Sequence, residues 1–308
     1  MRLCGRLRQR PIGGMLAWAC IAPHGGEVIP ELATADPLRM VRTRRAMEEM
    51  GRRCARARPD SIVIFTPHGL CIEGRISLSV ATRASGYVDG ENGVRIAMQL
   101  TVDLELAKAI AEECAGRGAP VAEVGYRENG APIEVFPIDW GVVVPLYFLG
   151  AQWPNAPTVV VACPDRSLSR GALLAFGDAV EMAARRIGRR IAIVCSADQG
   201  HGHSEDGPYG FAAESGPHDA AYCRAVTDNA LHRLQTWRND RIEAALTDSF
   251  WQTLMLHGAV RRAALTPELL SYEAPTYFGM ACASFDAGAT PSGDGSPCEE
   301  EAADEPWS

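Results

Sequence analysis

The chain has 308 residues, 47% of them hydrophobic and 22% charged, and its formal net charge is -8. This is the balance of a globular protein with room for one large domain or two smaller ones, and it excludes a fibrous or wholly disordered chain. An acidic chain without clustered Lys and Arg is also a poor partner for nucleic acid, whose phosphates need such clusters.

Arg2, Arg6, Arg8 and Arg10 precede a short apolar run at 15–22. A membrane span needs about 18 apolar residues, and this run leads directly into Pro23-His24-Gly25. It therefore reads as a buried strand rather than the core of a signal peptide. Residues 1–14 read as a dispensable leader, with Met15 as the expected biological start. Leu38, Val41, Met47, Met50 and Cys54 recur at helical spacing and predict a helix over 37–58. The arginines interleaved with them, from Arg42 to Arg58, read as its solvated face. A second buried strand, 61–66, ends at Pro67-His68-Gly69. There follow an amphipathic helix over 100–117, strands at 121–124 and 158–162, a helix over 168–187 and a strand at 190–195. Helices are expected over 217–236, 239–246 and 248–264, and a closing strand over 277–285.

This alternation predicts an α/β fold, a central sheet flanked by helices on both faces, with the site in loops at strand ends. No composition break divides 15–285, which reads as a single α/β domain. From 286 the chain turns to Gly, Pro, Ser and acidic residues, and 286–308 reads as a disordered acidic tail. The ten cysteines form no CxxC. Cys20, Cys71, Cys163 and Cys195 lie in or beside apolar runs, as buried reduced thiols would, so the expected compartment is cytoplasmic. No membrane partner is expected.

Chemistry concentrates where strands end. Pro-His-Gly occurs twice, at His24 and His68, each time after a predicted strand. Proline fixes the exit from the strand, glycine allows a sharp turn, and two neutral imidazoles presented this way are good metal ligands. A third strand runs into Ser-Ala-Asp198-Gln-Gly-His201-Gly-His203, a loop able to supply a ligand, a proton carrier or both. Asp139, before Trp140, and Asp248, before an apolar helix, both have the plain alternative of capping a helix. Two histidines and a carboxylate fit the face that holds Fe(II) while leaving positions for substrate and O₂. Zn(II) accepts the same ligands, so the residue types alone do not select the metal.

Taken in order, the motifs Ala-Pro-His24-Gly, Pro-Asp-Ser-Ile-Val-Ile-Phe-Thr-Pro-His68-Gly, Pro-Ile-Asp139-Trp-Gly-Val-Val-Val-Pro-Leu-Tyr-Phe-Leu, Ser-Ala-Asp198-Gln-Gly-His201, Asp206-Gly-Pro-Tyr-Gly and Ser271-Tyr-Glu-Ala-Pro-Thr-Tyr-Phe-Gly carry a family resemblance. The chain resembles the class III extradiol ring-cleavage dioxygenases, a superfamily that includes the catalytic chain of protocatechuate 4,5-dioxygenase and the Memo-like proteins. The resemblance spans nearly all of 15–285. It implies that His24 and His68 hold a metal, that His201 is the catalytic acid and base, and that Asp248 completes the metal site, with Glu273 as the alternative ligand. It implies Fe(II) as cofactor, an aromatic diol or 2-aminophenol and O₂ as substrates, and either a homo-oligomer or a small partner subunit. Asp139, Trp140, Asp198 and His203 are the substrate-pocket candidates. Trp140 stands where the family often has His, which implies a more apolar pocket. The alternative within the superfamily is a Memo-like metal-binding protein without ring cleavage.

Overall fold

The structure, a computed structural model, describes residues 15–33, 36–125, 135–288 and 307. Its elements in chain order are β1 (Leu16–Ala22), α1 (Val41–Ala57), β2 (Ser61–Phe65), β3 (Ile76–Ser79), β4 (Arg83–Asp89), β5 (Arg95–Thr101), α2 (Leu104–Ala115), β6 (Val121–Val124), β7 (Val135–Ile138), α3 (Trp140–Phe148), β8 (Thr158–Pro164), α4 (Arg170–Ile187), β9 (Ile191–Ser196), α5 (Ser215–Thr227), α6 (Asn239–Ala244), α7 (Phe250–Val260), β10 (Leu265–Glu273) and β11 (Met280–Ala287).

The main sheet has eight strands in the order β10-β11-β1-β9-β2-β8-β3-β6. Its centre, β1-β9-β2-β8, is parallel. A parallel centre is buried on both faces, so its strands read as unbroken apolar runs. Alternate residues serve opposite cores. Ala19, Ile21, Val63, Phe65, Ile193 and Cys195 pack with residues of α2, α4, α5 and α7. Trp18, Cys20, Ile62, Ile64, Ala192 and Val194 pack on the other side with α1 and α3. The helices on the first face approach closely: a Cβ on Gly177 of α4 would stand 1.9 Å from the Met255 carbonyl oxygen of α7, so only glycine fits there. A smaller sheet, β5-β4-β7, lies against α3. Among the described residues no helix is long and apolar enough to cross a membrane.

Several expected elements are corrected. The helix expected from 100 begins at Leu104, because Leu100 and Thr101 pair with β4. Asp103 then caps it, accepting from the Leu106 N–H. The helix expected over 217–236 stops at Thr227 and resumes as a 3₁₀ turn over Leu231–Thr236. The closing strand is β11, and its partner β10 was not foreseen; β10 is an edge strand, the place in a sheet where a proline such as Pro267 is tolerated. β11 runs two residues into the segment expected to be tail, and Trp307 is buried beside Trp237 and His218. Residues 289–306 and 308 of that tail, and the leader at 1–14, lie outside the described residues. Cys20, Cys163 and Cys195 are buried, whereas Cys71 is exposed.

Candidate metal centre

Parallel register brings three strand ends to one edge of the sheet. Ala22 of β1 lies beside Ser196 of β9, and Phe65 of β2 lies beside Cys195. The residues that follow, His24, Asp198 and His68, therefore emerge side by side at the carboxyl edge, where α/β sheets present their ligand sites. Asp248 joins them from the turn before α7. It does not cap that helix; its Oδ1 accepts from the Asp198 N–H at 3.0 Å.

His24 Nε2 and His68 Nε2 are 3.1 Å apart, and each is 3.3 Å from Asp248 Oδ2. His24 and Asp248 are buried, and His68 is partly open. Donors about 2.1 Å from a shared cation sit about 3.0 Å apart at right-angled bonds and about 3.4 Å apart at tetrahedral ones. The observed triangle falls within that span, so the donor set fits a divalent cation such as Fe(II) or Zn(II).

The tautomer of His24 follows from its neighbours. Ser196 Oγ donates its one proton to the Gly141 carbonyl at 2.6 Å, so it must accept from His24 Nδ1–H, 2.9 Å away. In the neutral ring Nε2 is then the bare nitrogen facing His68 and Asp248. Such outer partners orient metal-ligating histidines and raise their basicity. Ser196→Ala leaves both the His24 Nδ1–H and the Gly141 carbonyl without this partner. It is expected to weaken metal affinity by about 10- to 100-fold, as read by competition with a chromogenic chelator.

Charge around the triangle calls for a cation. Burial alone would lower the pKa of His24, but the Asp198 and Asp248 carboxylates outweigh it and raise the imidazole to about 9. Burial pushes the Asp248 carboxyl up, yet His24 and His68 hold it well below the usual range. Burial dominates at Asp139 and Asp198, whose carboxyls are raised. A divalent cation supplies the positive charge that the His24 proton otherwise provides. Metal uptake at neutral pH is therefore expected to release about one proton, with affinity rising about tenfold per pH unit until His24 is neutral, near pH 9, and then levelling. Calorimetric titration in buffers of different ionisation heat measures that proton.

His201 stands at the same edge. Its Nδ1–H donates to the Leu246 carbonyl at 2.9 Å, leaving Nε2 bare in the neutral ring. Leu246 adopts a left-handed φ of 53°, a conformation that costs a non-glycine residue about 1–2 kcal/mol. That strain aims the carbonyl at His201 two residues before Asp248. The His201 ring stacks on Phe278 with centroids 5.7 Å apart, and Tyr209 and Tyr277 stand at 6.0 and 6.1 Å. His201 is close enough to Asp198 and Asp248 to act on both carboxyls.

The remaining candidates separate. Trp140 lies 4.6 Å from the His68 ring, centroid to centroid, and is 45% exposed. Asp139 caps α3 through the Gly141 N–H. Asp198 Oδ1 accepts from the His24 N–H, and its Oδ2 lies 3.3 Å from His24 Nε2, so it braces that histidine. His203 turns to the buried Asp219, which accepts from its Nε2 at 2.8 Å. Glu273, the alternative ligand, lies outside the triangle: it accepts from the N–H and Oγ1 of Thr43 in the first turn of α1. That position suits a carboxylate, because a helix N-terminus leaves N–H groups unpaired. Sequence reasoning missed Ser196, Leu246 and the pair His218–Asp219. For that pair a signal existed: both share the buried face of α5 with Tyr222 and Val226, and polar residues on an apolar stripe need buried partners.

Residues 19–282 match the family model described as the catalytic LigB subunit of aromatic ring-opening dioxygenase. Protein CA_C1420 of Clostridium acetobutylicum is 26% identical over 254 residues, which is 82% of this chain and 54% of that protein. The chain thus spans about half the length of this curated relative. The crystal structure of protein JW3007 from Escherichia coli K12 superposes with a TM-score of 0.52 at 16% identity, covering 87% of this chain and 99% of that one. At that identity the likeness is one of fold.

Proposed function

The chain belongs to the family of catalytic LigB subunits of aromatic ring-opening dioxygenases, and from that premise we propose that it opens a catechol-like or 2-aminophenol-like ring with O₂, using Fe(II) held by His24, His68 and Asp248. The observation that carries this reading is the convergence of those three donors beside an oriented His201 in an aromatic setting. When bound, the iron would lower the pKa of a coordinated hydroxyl and bring diol and O₂ together at one centre.

The chain's own groups do the rest. Ser196 and Asp198 fix the His24 ring, and Asp248 supplies the negative charge that two neutral imidazoles lack. Phe278, Tyr277 and Tyr209 line the side of the site where a flat ring would lie against His201. His201 Nε2, bare because Nδ1 is committed to Leu246, accepts the substrate hydroxyl proton and returns one as the ring opens. Both oxygen atoms enter the product, a ring-opened semialdehyde acid cleaved beside the diol.

Anaerobic loading with Fe(II), then O₂ uptake and absorbance against catechols, protocatechuates and 2-aminophenols, tests this. Uptake with a new yellow product supports it. Bound iron with no uptake across the panel overturns it in favour of the second reading, a metal-binding protein without ring cleavage. Trp140 is the observation behind that second reading, since an indole leans on His68 at a position where the family resemblance implies an imidazole.

A further inference from the structure

Asp219 is fully buried on α5 and touches none of the three metal-site donors, yet it gathers four donors onto two oxygens. Oδ1 accepts from the Gly200 N–H and from His218 Nδ1–H, both at 2.8 Å. Oδ2 accepts from His203 Nε2–H at 2.8 Å and from the Tyr272 hydroxyl at 2.7 Å. These partners come from the loop after β9, from α5 itself and from β10. Gly200 and His203 bracket His201, so the carboxylate grips the loop on both sides of that histidine.

The same loop is sewn to the 277–279 segment by the backbone. Gln199 N–H donates to the Gly279 carbonyl, Gly279 N–H to the Gly200 carbonyl, and His203 N–H to the Tyr277 carbonyl. Phe278, at the middle of that segment, is the ring on which His201 stacks. Gly279 lets the two segments meet: a Cβ there would stand 2.0 Å from Asp219 Oδ2. The loop and the ring behind His201 are thus both referred to one carboxylate.

We propose that Asp219 is the positioning residue of His201: through Gly200, His203 and Tyr272 it fixes the loop that sets the imidazole over the metal site. The inference rests on the reading of His201 as the proton carrier. It gives His203 the work of a tether, with its Nε2–H spent on Asp219. It also predicts a division of labour, because Asp219 supports the proton-moving group and leaves the metal donors to Ser196 and Asp198.

The test uses the whole 308-residue chain. Asp219→Asn removes the charge and turns one acceptor into a donor; Tyr272→Phe removes one of the four bonds and leaves the carboxylate in place. A misplacement of about 1 Å can cost about 100-fold in rate, so kcat is expected to fall by about that factor in Asp219→Asn and about tenfold in Tyr272→Phe. Fe(II) affinity should stay at the parent value in both. Unchanged kcat in a folded variant, or iron affinity falling in step with kcat, overturns the proposal. Should Asp219→Asn fail to fold, Tyr272→Phe decides alone by the same criteria. The NMR resonances of the His201 ring, followed without added metal, give a readout independent of turnover. They should shift and broaden in either variant, and parent-like resonances overturn the positioning role. A parent chain that consumes no O₂ sinks the dioxygenase reading and leaves that NMR comparison as the judge of Asp219.

Discussion

Asp248→Asn is expected to bind Fe(II) weaker by on the order of 100-fold or more, since second-sphere changes alone cost 10- to 100-fold and this one removes a ligand charge. The local hydrogen bonding makes the effect severe. The Asp198 N–H needs an acceptor, now Asp248 Oδ1. In the variant the amide oxygen takes that bond, and the amide NH₂ is turned toward His24 Nε2 and His68 Nε2. A donor group then occupies the place of the third ligand. Equilibrium competition with a chelator measures the loss. Parent-like affinity would move the carboxylate role to Asp198, the other acid beside His24.

His201→Ala is the second large effect. General acid–base groups contribute about 10²- to 10⁴-fold, and turnover with the best substrate should fall within that range while iron content stays at the parent level. The separation is structural, because the His201 side chain bonds to the Leu246 carbonyl and stacks on Phe278, whereas the metal donors hold one another and are braced by Ser196 and Asp198. Steady-state O₂ consumption on protein of measured iron content gives both quantities. Loss of iron together with activity would show that His201 belongs to the metal site itself.

The strands β1, β2, β8 and β9 were legible in the sequence because a strand buried on both faces has little choice of composition. The loops leaving β1 and β2 were legible for a related reason: Pro-His-Gly after an apolar run leaves few other uses for an imidazole. The small sheet was not legible. Only Ala84 of β4 and Leu100 of β5 are buried, the exposed positions hold Tyr87 and Ala97 as well as charged residues, and the two strands gain their stability from each other and from α3. β10 was hidden by Pro267, a residue that argues against a strand until the strand is known to lie at an edge. The site divides in the same way. His24, His68 and His201 announce themselves within a few residues of sequence. Asp219 does not, since its partners His203 and Tyr272 lie 16 and 53 residues away and only the fold brings them together.

The position of β1 in the sheet has a consequence for how the chain is made. Its two neighbours are β9 and β11, both from the second half of the sequence. His24, at the end of β1, precedes its partner Asp198 by 174 residues. At translation rates of roughly 5–20 residues per second, β1 leaves the ribosome on the order of 10–30 seconds before the strand it must pair with. For that interval seven apolar residues have both edges unpaired, the condition that invites mispairing with other chains. Asp248 emerges later still, so a cation cannot stabilise the nascent chain by occupying its full ligand set. Yield in a cell should therefore depend on chaperones that shelter β1 during synthesis, and metal supplied at that stage should do little to replace them.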